Sequence, residues 1–149
     1  MKSGWIGLVI LLGLPSAGVA QTQPSDVTIV SGACQAQSAL TQGGEKTAFV
    51  CDNAIFAFFD LQNSHVMIQF AEKSDGHAAI LGFAGTMEKD GTTLDVDRMY
   101  LEPGKPQPAQ QASCKLTFQE PHITGIVCDG QVAAQKASAR VVFKAAPGQ

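Results

Sequence analysis

The sequence predicts an all-β protein: an antiparallel β-sandwich or small β-barrel of about eight short strands, arranged as a meander plus hairpins and carrying two disulfides. Three observations lead there. Apolar and polar residues alternate at period two over most of the chain, the spacing of a strand with one buried face. Turn signals such as Asp75-Gly76, Asp90-Gly91 and Glu120-Pro121 separate these runs. The positions of Cys114 and Cys128 fit a cross-strand pair within one hairpin.

The first element is not a strand. Met1 to Ala20 has the form of a secretory signal, with Lys2 as its positive end, Ile6 to Leu14 as a short apolar core, and Gly18-Val19-Ala20 before a cut ahead of Gln21. A transmembrane helix needs about 20 apolar residues, more than this core provides. The expected organisation is therefore a signal at 1–20 and a single β-rich domain at 21–149, with the tail 145–149 frayed. Removing the signal from the 149-residue chain leaves 129 residues, and losing Lys2 moves the net charge from −3 to −4.

Residues 31–46 are the least patterned. Ala33 to Gln42 followed by Gly43-Gly44 reads as an irregular segment or one to two helical turns with a glycine stop. Ala54 to Phe59 is apolar on both faces, as in a strand covered on both sides. Val66, Ile68 and Phe70 then alternate with His65, Met67 and Gln69. From Ala78 to Leu101, a type I′ turn at Asp90-Gly91 pairs Met87 with Leu94, Gly85 with Val96 and Leu81 with Tyr100 on an apolar face. Thr86 with Asp95 and Glu88 with Thr93 form the polar face. Arg98 is the misfit, since this register sets it on the apolar face opposite Phe83. Either a β-bulge after Val96 or snorkelling at the sheet end accounts for it. Residues 54–101 thus form a four-stranded meander.

Residues 102–112 contain three prolines and a glycine and read as an exposed crossing loop. Ser113 to Asp129 is a second hairpin. A three-residue loop centred on Pro121 sets Phe118 opposite Thr124, Leu116 opposite Ile126 and Cys114 opposite Cys128. Directly opposed residues have Cα atoms about 4.5–5.5 Å apart, within disulfide reach. Of the three connectivities that four cysteines allow, this spacing selects Cys114–Cys128 and leaves Cys34–Cys51. Ala137 to Lys144 is the last strand.

Chemistry is harder to find. The sequence has 10 Lys and Arg against 13 Asp and Glu, with no basic cluster, which argues against nucleic-acid binding. Nucleophile-elbow, zinc-protease, P-loop and dinucleotide motifs are missing, and no cofactor, catalytic residue or metal set is predicted. Asp95 and Asp97 form a D-x-D on one strand, which fits a solvated strand face better than a calcium site that needs 6–8 oxygens. His65, His77 and His122 are scattered. The ligand-binding candidates are Arg98, Tyr100, Asp95 and Asp97, with Arg98 chosen because an arginine on an apolar face needs solvent, a carboxylate or an anionic ligand. The expectation is a secreted or periplasmic, non-enzymatic binding or inhibitor-like module of a bacterial envelope, whose partner is a protein or a small apolar ligand. A small extracytoplasmic hydrolase and a structural envelope protein are the alternatives.

Overall fold

The computed structural model describes residues 24, 26–60, 64–71 and 80–148. The signal at 1–20, the Asp75-Gly76 turn and His77 lie outside the described residues. Among the described residues eleven strands follow in order: β1 (Asp26–Cys34), β2 (Ala39–Gln42), β3 (Glu45–Ala48), β4 (Asn53–Asp60), β5 (His65–Ala71), β6 (Ile80–Met87), β7 (Thr93–Tyr100), β8 (Pro106–Pro108), β9 (Gln110–Gln119), β10 (His122–Val132) and β11 (Ala137–Ala145). Eight of them, in the order β1-β4-β5-β6-β7-β9-β10-β11, close into an antiparallel barrel through the β1–β11 pairing. Of the two architectures expected, the barrel forms, and β4 to β7 are the meander.

Inward-facing residues fill the barrel axis. Phe70 is at the centre, edge-on to Phe83 with ring centroids 6.1 Å apart and tilted against Phe143 at 5.9 Å. Ile68, Leu81, Leu94, Met99, Ile126 and Val141 complete the buried core around them. Cys114 faces Cys128 across β9 and β10 with Cα atoms 4.0 Å apart, and both are fully buried. The second bridge, Cys34–Cys51, ties the end of β1 to the start of β4 at a Cα separation of 5.0 Å. In the chain-entropy model each closed loop of this size contributes about 3 kcal/mol.

Several expectations need correction. The segment 31–46 is not helical: β1 runs through Cys34, and β2 and β3 form a hairpin whose turn is Gly43-Gly44, with φ of 57° and 86°. Positive φ at both central positions is the type I′ requirement, so Gly-Gly marks a turn here and not a helix stop. The Asp90-Gly91 turn is the reverse case. Only Gly91 has positive φ, at 68°, and its N–H donates to Glu88 O at 3.0 Å, so a longer loop joins β6 to β7. The pairs nearest the turn are nonetheless as expected: Met87 with Leu94, Thr86 with Asp95, Gly85 with Val96. At the β9–β10 turn His122 pairs with Gln119, leaving a two-residue loop across a cis Glu120–Pro121 bond. Phe118 therefore pairs with Ile123 and not Thr124, and a bulge at Thr124 restores the register for Leu116–Ile126 and Cys114–Cys128.

Residues 102–112 are also more ordered than a loop. β8 runs along β7, pairing Pro108 with Arg98 and Pro106 with Tyr100. The spacing of two puts both prolines at positions whose nitrogen faces away from β7, while the Ala109 N–H donates to Asp97 O at 2.9 Å. At the carboxyl end, Ala145 pairs with Gly32 and the Ala146 N–H donates to Ser31 O at 2.8 Å, so the ladder reaches into the segment expected to be frayed.

One edge of β11 serves two partners. Its first half pairs with β2 and its second half with β1. Val142 sits at the change-over, where no ladder partner faces it. Gln35 and buried Ser38 fill the gap: the Ser38 hydroxyl accepts the Val142 N–H at 2.9 Å, and the Val142 carbonyl accepts the Gln35 N–H at 2.7 Å and the Ser38 hydroxyl at 3.2 Å. A buried backbone group without such a partner would carry a desolvation penalty.

Candidate functional site

The outward faces of β5, β6 and β7 form a gutter. Direct cross-strand pairs share a face, so Met67, Ala84 and Arg98 stand in one row and Gln69, Gly82 and Tyr100 in the next. Ala84 and Gly85 are small, which makes β6 a low floor between taller walls. Phe59, His65 and Met67 stand on one side, with Arg98 and Tyr100 on the other, and the space between is about 510 Å³. The Tyr100 side chain lies directly over Gly82: a Cβ there would be 3.1 Å from Tyr100 Cβ and 3.4 Å from its ring.

A bulge places Arg98 in this wall. Gly85 pairs with Val96 and Ala84 with Arg98, so Asp97 is an extra residue on β7. Beyond it the register differs by one from the sequence expectation: Phe83 pairs with Met99 and Gly82 with Tyr100. Met99 thereby takes the interior position, fully buried, and Arg98 turns outward. This is the bulge after Val96 that the sequence left open. Gly85 permits it, because a Cβ there would overlap the Asp95 carbonyl oxygen and lie 2.8 Å from Val96 Cα. A glycine inside a strand is a known mark of such close backbone approach, and Gly85 was the readable signal for the bulge.

The Arg98 Nε bonds the Asp97 carboxylate at 3.2 Å, with side chains 48 % and 60 % exposed. A pair so open to solvent is worth about 0–1 kcal/mol. The two terminal nitrogens of the guanidinium take no part in it. The four candidate residues thus separate: Arg98 and Tyr100 line the gutter, whereas Asp95 and Asp97 are exposed beyond its lining. Among the described residues no group of three or more His, Cys, Asp or Glu is arranged to hold a metal ion. Sequence reasoning did not single out Phe59, Met67 and Ala84. The two-sided apolar run 54–59 was the available hint, since its outward residues feed this face.

Among the described residues, the carboxylates with displaced titration lie elsewhere and cap turns. Asp90 is held well below the usual carboxylate range, chiefly by the Thr93 hydroxyl at 2.6 Å and then by the N–H groups of Thr92 and Thr93 at 2.8 Å each. Glu102 is lowered by its 2.8 Å hydrogen bond and ion pair with Lys105. Across the barrel, a smaller cleft of about 270 Å³ is lined by Thr41, Lys46, Gln131 and Ser138. Its arginine, Arg140, is engaged by both oxygens of Asp129 at 2.7 and 2.8 Å. Of the two cationic positions, Arg98 has the weaker carboxylate engagement. Comparison of the chain with family models, with curated proteins and with solved structures found no match. No helix among the described residues is long and apolar enough to cross a membrane.

Proposed function

We propose that the chain is an exported, non-enzymatic binding module of a bacterial envelope, and that the gutter over β6 is its ligand-contacting face. The observation that carries the reading is the convergence of Arg98 and Tyr100 with Phe59 and Met67 around a floor of Ala84 and Gly85. Such a trough combines apolar walls with a few polar groups that orient a bound molecule, the usual make-up of a recognition site. The leader-like first 20 residues and the two disulfides support export, because disulfides persist in oxidising compartments. The packed barrel axis favours an outer face over interior carriage of a ligand.

The test compares capture from native envelope extract by the wild-type chain, by Ala84→Phe, which fills the trough, and by Arg98→Ala. Recovery of one molecule by the wild type, reduced about tenfold in both variants (~1.4 kcal/mol), is the expected result. Equal recovery by all three, or none by the wild type, removes the gutter as the ligand face.

A further inference from the structure

We infer that the barrel wall has a one-strand slot between β1 and β10, and that it accepts an extended segment of a partner protein as an added strand. The hydrogen-bond alternation of β1 defines the slot. The Gly32 N–H donates to Asp52 O on the β4 side, while Ser31 O accepts the Ala146 N–H on the β11 side. Alternation along the strand then turns the N–H and C=O of Ile29 and Val27 toward the β11 side as well. There β11 has stopped. Pro147 follows Ala146 and has no N–H, Gly148 takes a φ of 82°, and the β11–β1 register ends at Ala145 with Gly32. On the far side β10 likewise outruns β11, whose pairing begins only at Gly125. Among the described residues no strand pairs with β1 on this side at Val27 or Ile29. The Val27 N–H is met by the neighbouring Asp26 carboxylate at 2.9 Å instead. Between the two strands lies a groove of about 430 Å³, bounded by Thr28 to Val30 and by Pro121 to Ile123.

Comparison with the other open edges separates this one from ordinary surface. The outer edge of β8 carries Pro106 and Pro108, and β3 carries Glu45 and Lys46, both recognised ways to prevent strand addition. The β1 stretch Val27 to Val30 has neither proline nor charge. Its outward side chains, Val27 at 49 % and Ile29 at 62 % exposed, are β-branched. They continue an apolar band through Ala57 and Ile55 on β4.

The occupant follows from the geometry. The N–H and C=O of Ile29 and the C=O of Val27, turned to one side at strand spacing, match a polypeptide backbone and not a lipid or a sugar, and an incoming strand would take the Val27 N–H over from the Asp26 carboxylate. The slot has a wall on each side, so the incoming segment needs both of its edges free. A β1 strand of a second copy does not qualify, because its other edge is already paired with β4. A tail or loop of another protein does, with apolar residues at alternate positions to lie beside Val27 and Ile29.

The first experiment fixes a probe strand to the full chain. Thr-Val-Thr-Val-Thr-Val-Thr is appended after Gln149 through a flexible Gly-Ser linker, which gives the probe an effective concentration of about millimolar. Amide hydrogen exchange at Ile29 is then compared with a control in which the probe's central Val is Pro. Slowing of Ile29 exchange by about tenfold or more with the Val probe and not with the Pro control is expected. Unchanged exchange with both probes overturns the slot. The second experiment places a photoreactive benzophenone side chain at position 29 of the otherwise unmodified chain in its native cell. Adducts mapping to an extended segment of another protein, and diminished by Val27→Lys, support the inference. Adducts to lipid, to a second copy or to the chain's own amino-terminal residues overturn the occupant, as does the absence of any adduct. Loss of gutter binding in Arg98→Ala leaves both readouts unaffected, so the two sites fail or stand separately.

Discussion

Substituting Gly85 by Ala tests the bulge that aims Arg98 outward. Gly85 has no left-handed backbone angle to protect, so its requirement is one of space. An added Cβ would overlap the Asp95 carbonyl oxygen and lie 2.7 Å from the Asp95 carbonyl carbon and 2.8 Å from Val96 Cα. Carbon atoms rest at about 3.5–4.0 Å, so β7 must retreat by roughly 1 Å. It is a backbone neighbour within a ladder and cannot simply rotate away. Retreat would strain the Gly85–Val96 pairing and the Ala109 N–H bond to Asp97 O. Overpacking of this kind costs about 1–3 kcal/mol, and a backbone obstacle puts Gly85→Ala near the upper end. For a chain of this size each kcal/mol lowers Tm by about 3–5 °C, so a fall of about 10 °C is expected. Gly43→Ala is the control. Its φ of 57° strains any side chain, but nothing lies within 4 Å of the added atom, and about 1 kcal/mol is expected there. Thermal melts followed by far-UV circular dichroism decide it. A Gly85→Ala melt within about 3 °C of wild type, or a smaller drop than Gly43→Ala shows, refutes the spatial account.

Two further outcomes follow from hydrogen bonds that cap irregular backbone. Ser38→Ala leaves the Val142 N–H without its acceptor, while the Val142 carbonyl keeps the Gln35 N–H; a loss of about 1–3 kcal/mol is expected from urea melts, and the exchange rate of the Val142 amide should rise. Asp90 titrates below its ordinary 3.8 in the folded chain, so the stability it contributes is fully present well above that value and is lost as pH falls below it. Wild type should therefore exceed Asp90→Asn in urea midpoint at pH 6, and the difference should shrink below about pH 4; a pH-independent difference between the two would contradict the assigned cause.

How much was legible depended on whether the signal was local. Alternation in 65–70 and 113–144 reported which residues face the core, because burial on one face of a pleated strand imposes period two wherever the strand ends up. The cysteine pairing was legible for a related reason: Cys114 and Cys128 belong to one hairpin, and the two-residue turn with its Thr124 bulge sums to the register that a three-residue loop would give. Gly43-Gly44 carried its hairpin signal openly but was outweighed by the unpatterned residues before it. Arg98 was identified as anomalous, yet its direction depended on one extra residue in β7, and a shift of one reverses every side chain beyond it.

By itself, then, the sequence determined the all-β class, the meander, the last strand and both disulfides: the first three rest on short-range periodicity, Cys114–Cys128 on the register of one hairpin, and Cys34–Cys51 on what that pairing leaves. Only the tertiary structure decided that the sheet closes into a barrel, that β7 and β11 each serve two partners along one edge, and that Ser38 bridges such a change-over 104 positions away along the chain. It alone brought Phe59 and Met67 opposite Arg98 and Tyr100, and left β1 and β10 extending past β11. These are consequences of how strands distant in sequence align around a closed wall, where register and strand length at one position fix what faces what several strands away. No local pattern encodes that alignment.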